Sequence, residues 1–165
     1  MAVTLVTGTG FAGRAPQDME EYFRATFEQA AVGIAHTTVE GQFLQVNGKL
    51  CGMLGYTSTE LLGLTTRDLT HPDDRDRQDA LRLELLNGQR AFFAVEKRYL
   101  CKDGAVLWVN RTVTLAHRPT TGEPYLIQVI DDISVRKRTE AQLERMTRAR
   151  RVTAGCSRVL IHAGD

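Results

Sequence analysis

Cysteine is scarce in this chain, and the few cysteines stand apart. Cys51, Cys101 and Cys156 share no local motif. An odd, scattered set excludes a disulfide framework and a Cys-x-x-Cys metal site, and it implies a reducing compartment. The four histidines, His36, His71, His117 and His162, are equally dispersed. Charge of one sign is missing too, because 21 basic and 20 acidic residues leave a net charge of +1. That excludes a nucleic-acid partner held by bulk charge. No apolar run approaches the ~20 residues of a membrane span. No basic segment followed by an apolar stretch marks the N-terminus as a secretory signal. The expected class is a soluble, cytoplasmic protein.

What is present suits one domain with appendages: 165 residues, 42% of them apolar and 25% charged. The chain opens on "TLVTGTGFAGR", where Val3, Leu5 and Val6 lead into Gly8-x-Gly10-x-x-Gly13. This is the spacing of a dinucleotide-binding turn. Its mechanism demands a helix facing the pyrophosphate and then a parallel strand. The following pattern is different. "VGIAHTTVEGQFLQVN" holds two short apolar runs around Glu40-Gly41, the signature of a β-hairpin. Antiparallel neighbours do not build a right-handed parallel crossover. The glycines are read as part of a flexible tail over residues 1–17, and a dinucleotide-binding enzyme is the disfavoured alternative.

Within residues 18–30, Met19, Tyr22, Phe23, Phe27 and Ala30 recur at helical spacing, which predicts an amphipathic helix. Residues 47–70 read as short helical pieces punctuated by glycine, with Thr57 or Ser58 as a cap. "HPDDRDRQDALRLELLNG" predicts one longer helix stopped by Asn87-Gly88. Three strands follow, turning at Lys102-Asp103-Gly104 and Thr120-Thr121-Gly122. Turn-sized links make consecutive strands antiparallel. The α+β order therefore predicts one antiparallel sheet with helices on one face. Residues 135–165 predict a charged helix with a thin seam through Leu143, Met146, Arg150, Thr153 and Leu160.

From about Phe27 to Arg138 the chain resembles a PAS domain with its C-terminal PAC motif. The pieces are the hairpin with Asn47, Leu54-Gly55-Tyr56, "HPDDR", "EKRYLCKDGAVLWVN" and "DDISVRKRTEAQL", with Ser134 where the family has Thr. The resemblance implies a PAS fold over residues 31–134: a five-stranded antiparallel sheet with short helices on one face, an N-terminal flanking helix and a C-terminal output helix. "RVTAGCSRVLIHAGD" is similar to the opening of a GAF domain. The implied role is a non-catalytic sensor in a larger bacterial-type protein, a histidine kinase or a cyclic-dinucleotide enzyme. A haem or flavin redox sensor and a pure dimerisation module are the alternatives.

The photoactive flavin branch of that family carries a Cys where this chain has Thr66, and a hydroxyl cannot form a thiol–flavin adduct. The oxygen-sensing haem branch carries its ligand in the long helix, where residues 72–88 hold no His. No catalytic residues, no metal and no cofactor are predicted. An unidentified small molecule is compatible with a pocket built from Ile34, Leu50, Leu54, Leu81, Trp108, Asn110, Thr112 and Gln128. The period of two puts Asn110 and Thr112 on one strand face, and the sequence leaves open which face that is. The resemblance makes Asp132, Ile133 and Ser134 the relay into the last helix and a downstream output domain. A parallel homodimer is expected through Tyr22, Phe23 and Phe27 and through Leu143 and Met146.

Overall fold

The computed structural model describes residues 16–75 and 77–161, with side chains for 18–75 and 79–150. The glycine motif and the expected tail lie outside these residues, apart from the backbone of Pro16 and Gln17. So do the side chains of Thr153 and Leu160 and those of the GAF-like stretch.

Five strands form one antiparallel sheet: β1 (Gly33–Thr37), β2 (Phe43–Val46), β3 (Phe92–Leu100), β4 (Val106–His117) and β5 (Pro124–Asp132). Their spatial order is β2-β1-β5-β4-β3. The two terminal strands, β1 and β5, thus meet in the centre, with Ala35 opposite Gln128. Between β2 and β3 the chain forms α2 (Gly48–Leu54), α3 (Ser58–Leu62), α4 (Thr66–Leu69) and α5 (Arg77–Leu86). The flanking helices are α1 (Pro16–Glu28) and α6 (Ser134–Ile161). No helix among the described residues is long and apolar enough to cross a membrane.

Local chemistry accounts for most boundaries. Thr57 and Glu60 close a reciprocal capping box at the start of α3, and Thr65 and Asp68 do the same for α4. The expected long helix is instead divided. Pro72–Asp74 forms a single 3-10 turn before α5. The His71 Nδ1 caps that turn by accepting from the Asp73 N–H at 3.4 Å. Gly41 turns the first hairpin at φ 98°, and an added Cβ there would meet the Thr66 Oγ1 at 2.6 Å. Glycine is required on both counts.

The inner face is decided by apolar alternation. Phe93, Val95 and Tyr99 on β3, Val109 and Val113 on β4, and Leu126 and Ile130 on β5 are all buried. They form two clusters. One holds Leu50, Leu54, Leu61 and Leu69 from α2, α3 and α4 against Ala35, Tyr99, Val109 and Ile130. The other holds Leu85 of α5 against Phe93, Val95, Val113 and Leu126. On the outer face α1 inserts Phe27, only 3% exposed, beside His36 at a ring separation of 5.5 Å.

Each sheet edge is bridged at one end by irregular chain. Gln42 bridges to Thr65 beside β2, and Thr70 bridges to Tyr99 beside β3. The His71 N–H donates to the Arg98 carbonyl at 3.0 Å and extends that cover.

Asn47 holds the first half together. Its side-chain oxygen accepts from the Ile34 and Leu50 N–H groups, and its amide donates to the Phe27 and Val32 carbonyls, all at 2.9–3.0 Å. Asn47→Ala removes a helix cap and strands buried backbone partners. The expected cost is about 3–5 kcal/mol, read by urea unfolding. A loss below ~1 kcal/mol would overturn this role for Asn47.

Candidate functional site

A cleft of about 360 Å³ opens between the inner face of β4 and β5, the helices α4 and α5, and the turn at Val39 to Gly41. Four arginines line it, Arg67, Arg75, Arg82 and Arg111, against two acids, Glu40 and Asp79. Arg67 and Arg82 share Asp79, at 3.6 and 3.4 Å. Arg82 also donates to the Val39 and Glu40 carbonyls. The Arg75 Nε donates to the Thr70 carbonyl at 3.1 Å. Leu83, Leu86, Phe93 and Leu126 supply apolar wall.

The floor of the cleft is a polar seam between the two apolar clusters. The Gln128 amide donates to the Thr37 Oγ1 at 2.8 Å, and its oxygen accepts from Arg111 at 3.4 Å. The Lys97 Nζ donates to the Thr70 Oγ1 at 3.0 Å. Thr37, Thr70, Lys97, Arg111 and Gln128 are all buried. Burial holds the Lys97 ammonium well below its ordinary range; the Arg111 cation adds to that shift and Asp74 opposes it. Burial also raises the Tyr99 phenol, with Arg111 opposing. The Tyr99 hydroxyl and the Nε atoms of Arg82 and Arg111 are buried without hydrogen-bonding partners.

β3 joins this seam to the last helix. Its alternation sends Lys97 inward and its neighbours Glu96 and Arg98 outward. Asp74, beside the cleft's Arg75, grips Arg98 at 3.0 and 2.7 Å and accepts the Arg98 N–H at 2.8 Å. The Arg98 side chain holds the Asp74 carboxyl below its ordinary range. Arg98 and the Lys137 of α6 both place their cations by the Trp108 ring, at 5.6 and 5.3 Å. Glu96 pairs with Arg136 at 2.7 Å and with Lys137 at 2.6 Å. Those partners, Lys137 first, lower its carboxyl.

The junction itself is stitched to β4. The Ile133 N–H donates to the Trp108 carbonyl at 2.9 Å, and the Trp108 N–H donates to the Ser134 Oγ at 3.2 Å. Asp132 accepts the Ser134 N–H at 2.8 Å. The three residues expected to relay a signal thus anchor the start of α6 to the sheet.

Residues 43–130 match the family model described as PAS fold. The chain belongs to the PAS family. Relatives support the assignment. Over 124 residues this PAS chain is 41% identical to the probable diguanylate cyclase DgcE of Escherichia coli (strain K12), covering 74% of the chain and 11% of that protein. It is 34% identical over 128 residues to the sensor histidine kinase TmoS of Ectopseudomonas mendocina, covering 77% of the chain and 13% of that protein. The PAS chain therefore spans little more than a tenth of either relative. Among solved structures it is similar in fold to a domain of a sensory box sensor histidine kinase/response regulator from Geobacter sulfurreducens. That match has a TM-score of 0.60 at 24% identity and covers 72% of this chain and 98% of that one. The homologous regions are those of histidine kinases and diguanylate cyclases, and a signal-sensing module fits them.

Of the eight residues nominated from the sequence as a pocket, Gln128 alone lines the cleft. Leu50 and Leu54 sit in the first apolar cluster, and Leu81 packs against the second. Ile34, Trp108, Asn110 and Thr112 lie on the opposite, outer face. Ile34 pairs with Val129, and Asn110 with Glu96 and Asp131, all outward-facing positions. The physical reason is that Val109 and Val113 claim the inner face, and strand alternation then turns Asn110 and Thr112 out. The same alternation carries Arg111 inward, and Lys97 follows between Val95 and Tyr99. Those two basic residues were the legible signal that the sequence reading missed. Of the proposed dimer residues, Tyr22, Phe23, Leu143 and Met146 are exposed, whereas Phe27 is buried within its own chain. Among the described residues no three His, Cys, Asp or Glu side chains converge as a metal site.

Lys97 gives the site a pH signature. Between its lowered folded value and the ordinary lysine range near ~10.4, the unfolded chain holds a proton that the folded chain has shed. Stability therefore rises with pH through that window. Lys97→Met removes the dependence. Urea unfolding at about pH 7 and about pH 9.5 should show the native chain gaining stability relative to Lys97→Met. An unchanged difference would overturn the assignment.

Proposed function

We propose that this PAS chain is a non-catalytic sensor and relay module of a larger cytoplasmic signalling protein, with a histidine kinase or a cyclic-dinucleotide enzyme as its output. One observation carries the reading. β3 sends Lys97 inward to the Thr70 hydroxyl of the cleft lining and grips α6 with the adjoining Glu96, while Arg98 links Asp74 to the Trp108 ring. A change in the cleft that moves Asp74 or Lys97 is felt at Lys137 within one strand. A relay of this kind needs two arrangements a few kcal/mol apart. Polar and ionic contacts on a partly exposed surface suit that range better than a packed apolar joint. Bound small molecules are the natural input, since the cleft is roughly the size of small-ligand pockets.

The assembly we propose is a parallel homodimer. Met19, Tyr22 and Phe23 on α1 and Leu143 and Met146 on α6 are all exposed within one chain. An apolar stripe left open on a charged helix gains stability by packing on a copy of itself. Parallel alignment lets both α6 helices leave on the same side, toward an output that also works in pairs.

Two measurements test this. Joined through α6 to a diguanylate cyclase catalytic domain, the chain should set the cyclase rate, and Glu96→Ala should change it at least about five-fold with the melting temperature held. A rate indifferent to Glu96→Ala, to Trp108→Ala and to removal of the PAS region overturns the relay. Sedimentation equilibrium at about 100 μM should show a dimer that Tyr22→Glu with Phe23→Glu weakens. A monomer at that concentration overturns the dimer.

A further inference from the structure

The cleft floor holds a charge with nothing to answer it. Arg111 is 5% exposed, and no carboxylate lies within ion-pair reach of it among the described residues. Its side chain meets the neutral Gln128 oxygen at a long 3.4 Å and lies near the neutral Tyr99 phenol, neither of which carries a balancing charge. Its Nε has no acceptor at all. The other side of the guanidinium lies over the Phe93 ring at 5.6 Å. A guanidinium cannot escape by losing its proton, so a buried one stays charged. Burying such a charge unpaired costs several kcal/mol.

The surroundings deepen the need for a counter-ion. Arg82, also lining the cleft, has a second buried Nε without an acceptor, although its other nitrogens reach Asp79 and the hairpin turn. The arginines of the lining outnumber its acids. The remaining wall, Leu83, Leu86, Phe93 and Leu126, is apolar. The whole site therefore combines an anion-seeking floor with a greasy side.

We propose that the cleft binds a small carboxylic acid with an apolar body, its carboxylate held by Arg111 and its body lying along Leu83, Leu86 and Phe93. The inference rests on the sensor reading and supplies the chemical class of its ligand. Arginine presents two parallel N–H groups to a carboxylate, and Arg111 lines the cleft. The apolar wall gives an aliphatic or aromatic body the burial that inorganic phosphate cannot use.

The probes are benzoate and hexanoate, with benzamide and hexanamide as neutral counterparts and inorganic phosphate as a bare anion, all at matched ionic strength against the full chain. Calorimetry should show the acids binding at least ten-fold more tightly than the amides and than phosphate. Arg111→Gln should weaken acid binding at least ten-fold. Because Arg111→Gln can disturb folding, a second readout uses the native chain. The Arg111 Nε–H resonance should shift with benzoate and stay in place with benzamide. Acids and amides binding alike, phosphate binding as tightly as benzoate, binding by neither acid, or an Arg111 resonance indifferent to benzoate would each overturn the proposal. None of those results touches the relay, which stands or falls on the cyclase fusion.

Discussion

A single buried amide makes the first half of this fold possible. Asn47 sits where α1 ends, where β1 begins and where α2 starts, and none of those three backbone termini can satisfy its own groups there. The amide offers two acceptor and two donor positions, and the chain fills all four. A serine or aspartate could cap α2, but neither could also donate twice to carbonyls. Gly33 answers the same crowding, because α2 lies so close that an added Cβ would meet the Leu50 Cδ1 at 3.0 Å. Once that corner is fixed, α2 must lie across the central strands, and the cleft opens only at the other end of the sheet.

The seam of Thr37, Gln128, Arg111, Lys97 and Thr70 divides the core into two apolar clusters. Filling it with aliphatic side chains would give one larger core at less desolvation cost. The chain instead keeps two basic side chains, Arg111 and Lys97, buried under the helices. Strand alternation makes that choice consequential outside the core as well. Whatever β3 places beneath the helices fixes what it places above. Glu96 and Arg98 cannot be moved off the α6 side without moving Lys97 out of the seam.

Much of this architecture was legible in the sequence because local chemistry decides it. The Glu40-Gly41 hairpin, the Asn87-Gly88 stop, the Thr57 cap and the two later strand turns all stand where their residues demand. The division of the long helix at Pro72–Asp74 escaped, since Asp74 is drawn away by Arg98 on a strand more than twenty residues later. The site was far less legible. Polar Asn110 and Thr112 drew attention as pocket candidates, yet the flanking valines, Val109 and Val113, own the inner face. Arginines at 67, 75 and 82 reach the cleft on long stems from separate elements, and no sequence spacing announces such a convergence. Phe27 shows the same limit in reverse, because its helical stripe does not tell which aromatic stays inside its own chain.

The bridged edges of the sheet carry a consequence for how copies of this chain meet. With Thr65 bridged beside β2 and Thr70 beside Tyr99, one end of each border strand is already paired. Strand-by-strand growth into a continuous intermolecular sheet is interrupted at those two places. Association through side-chain surfaces can instead slide and rotate by small steps without breaking backbone pairing. A module whose task is to switch thereby keeps its partner contact adjustable.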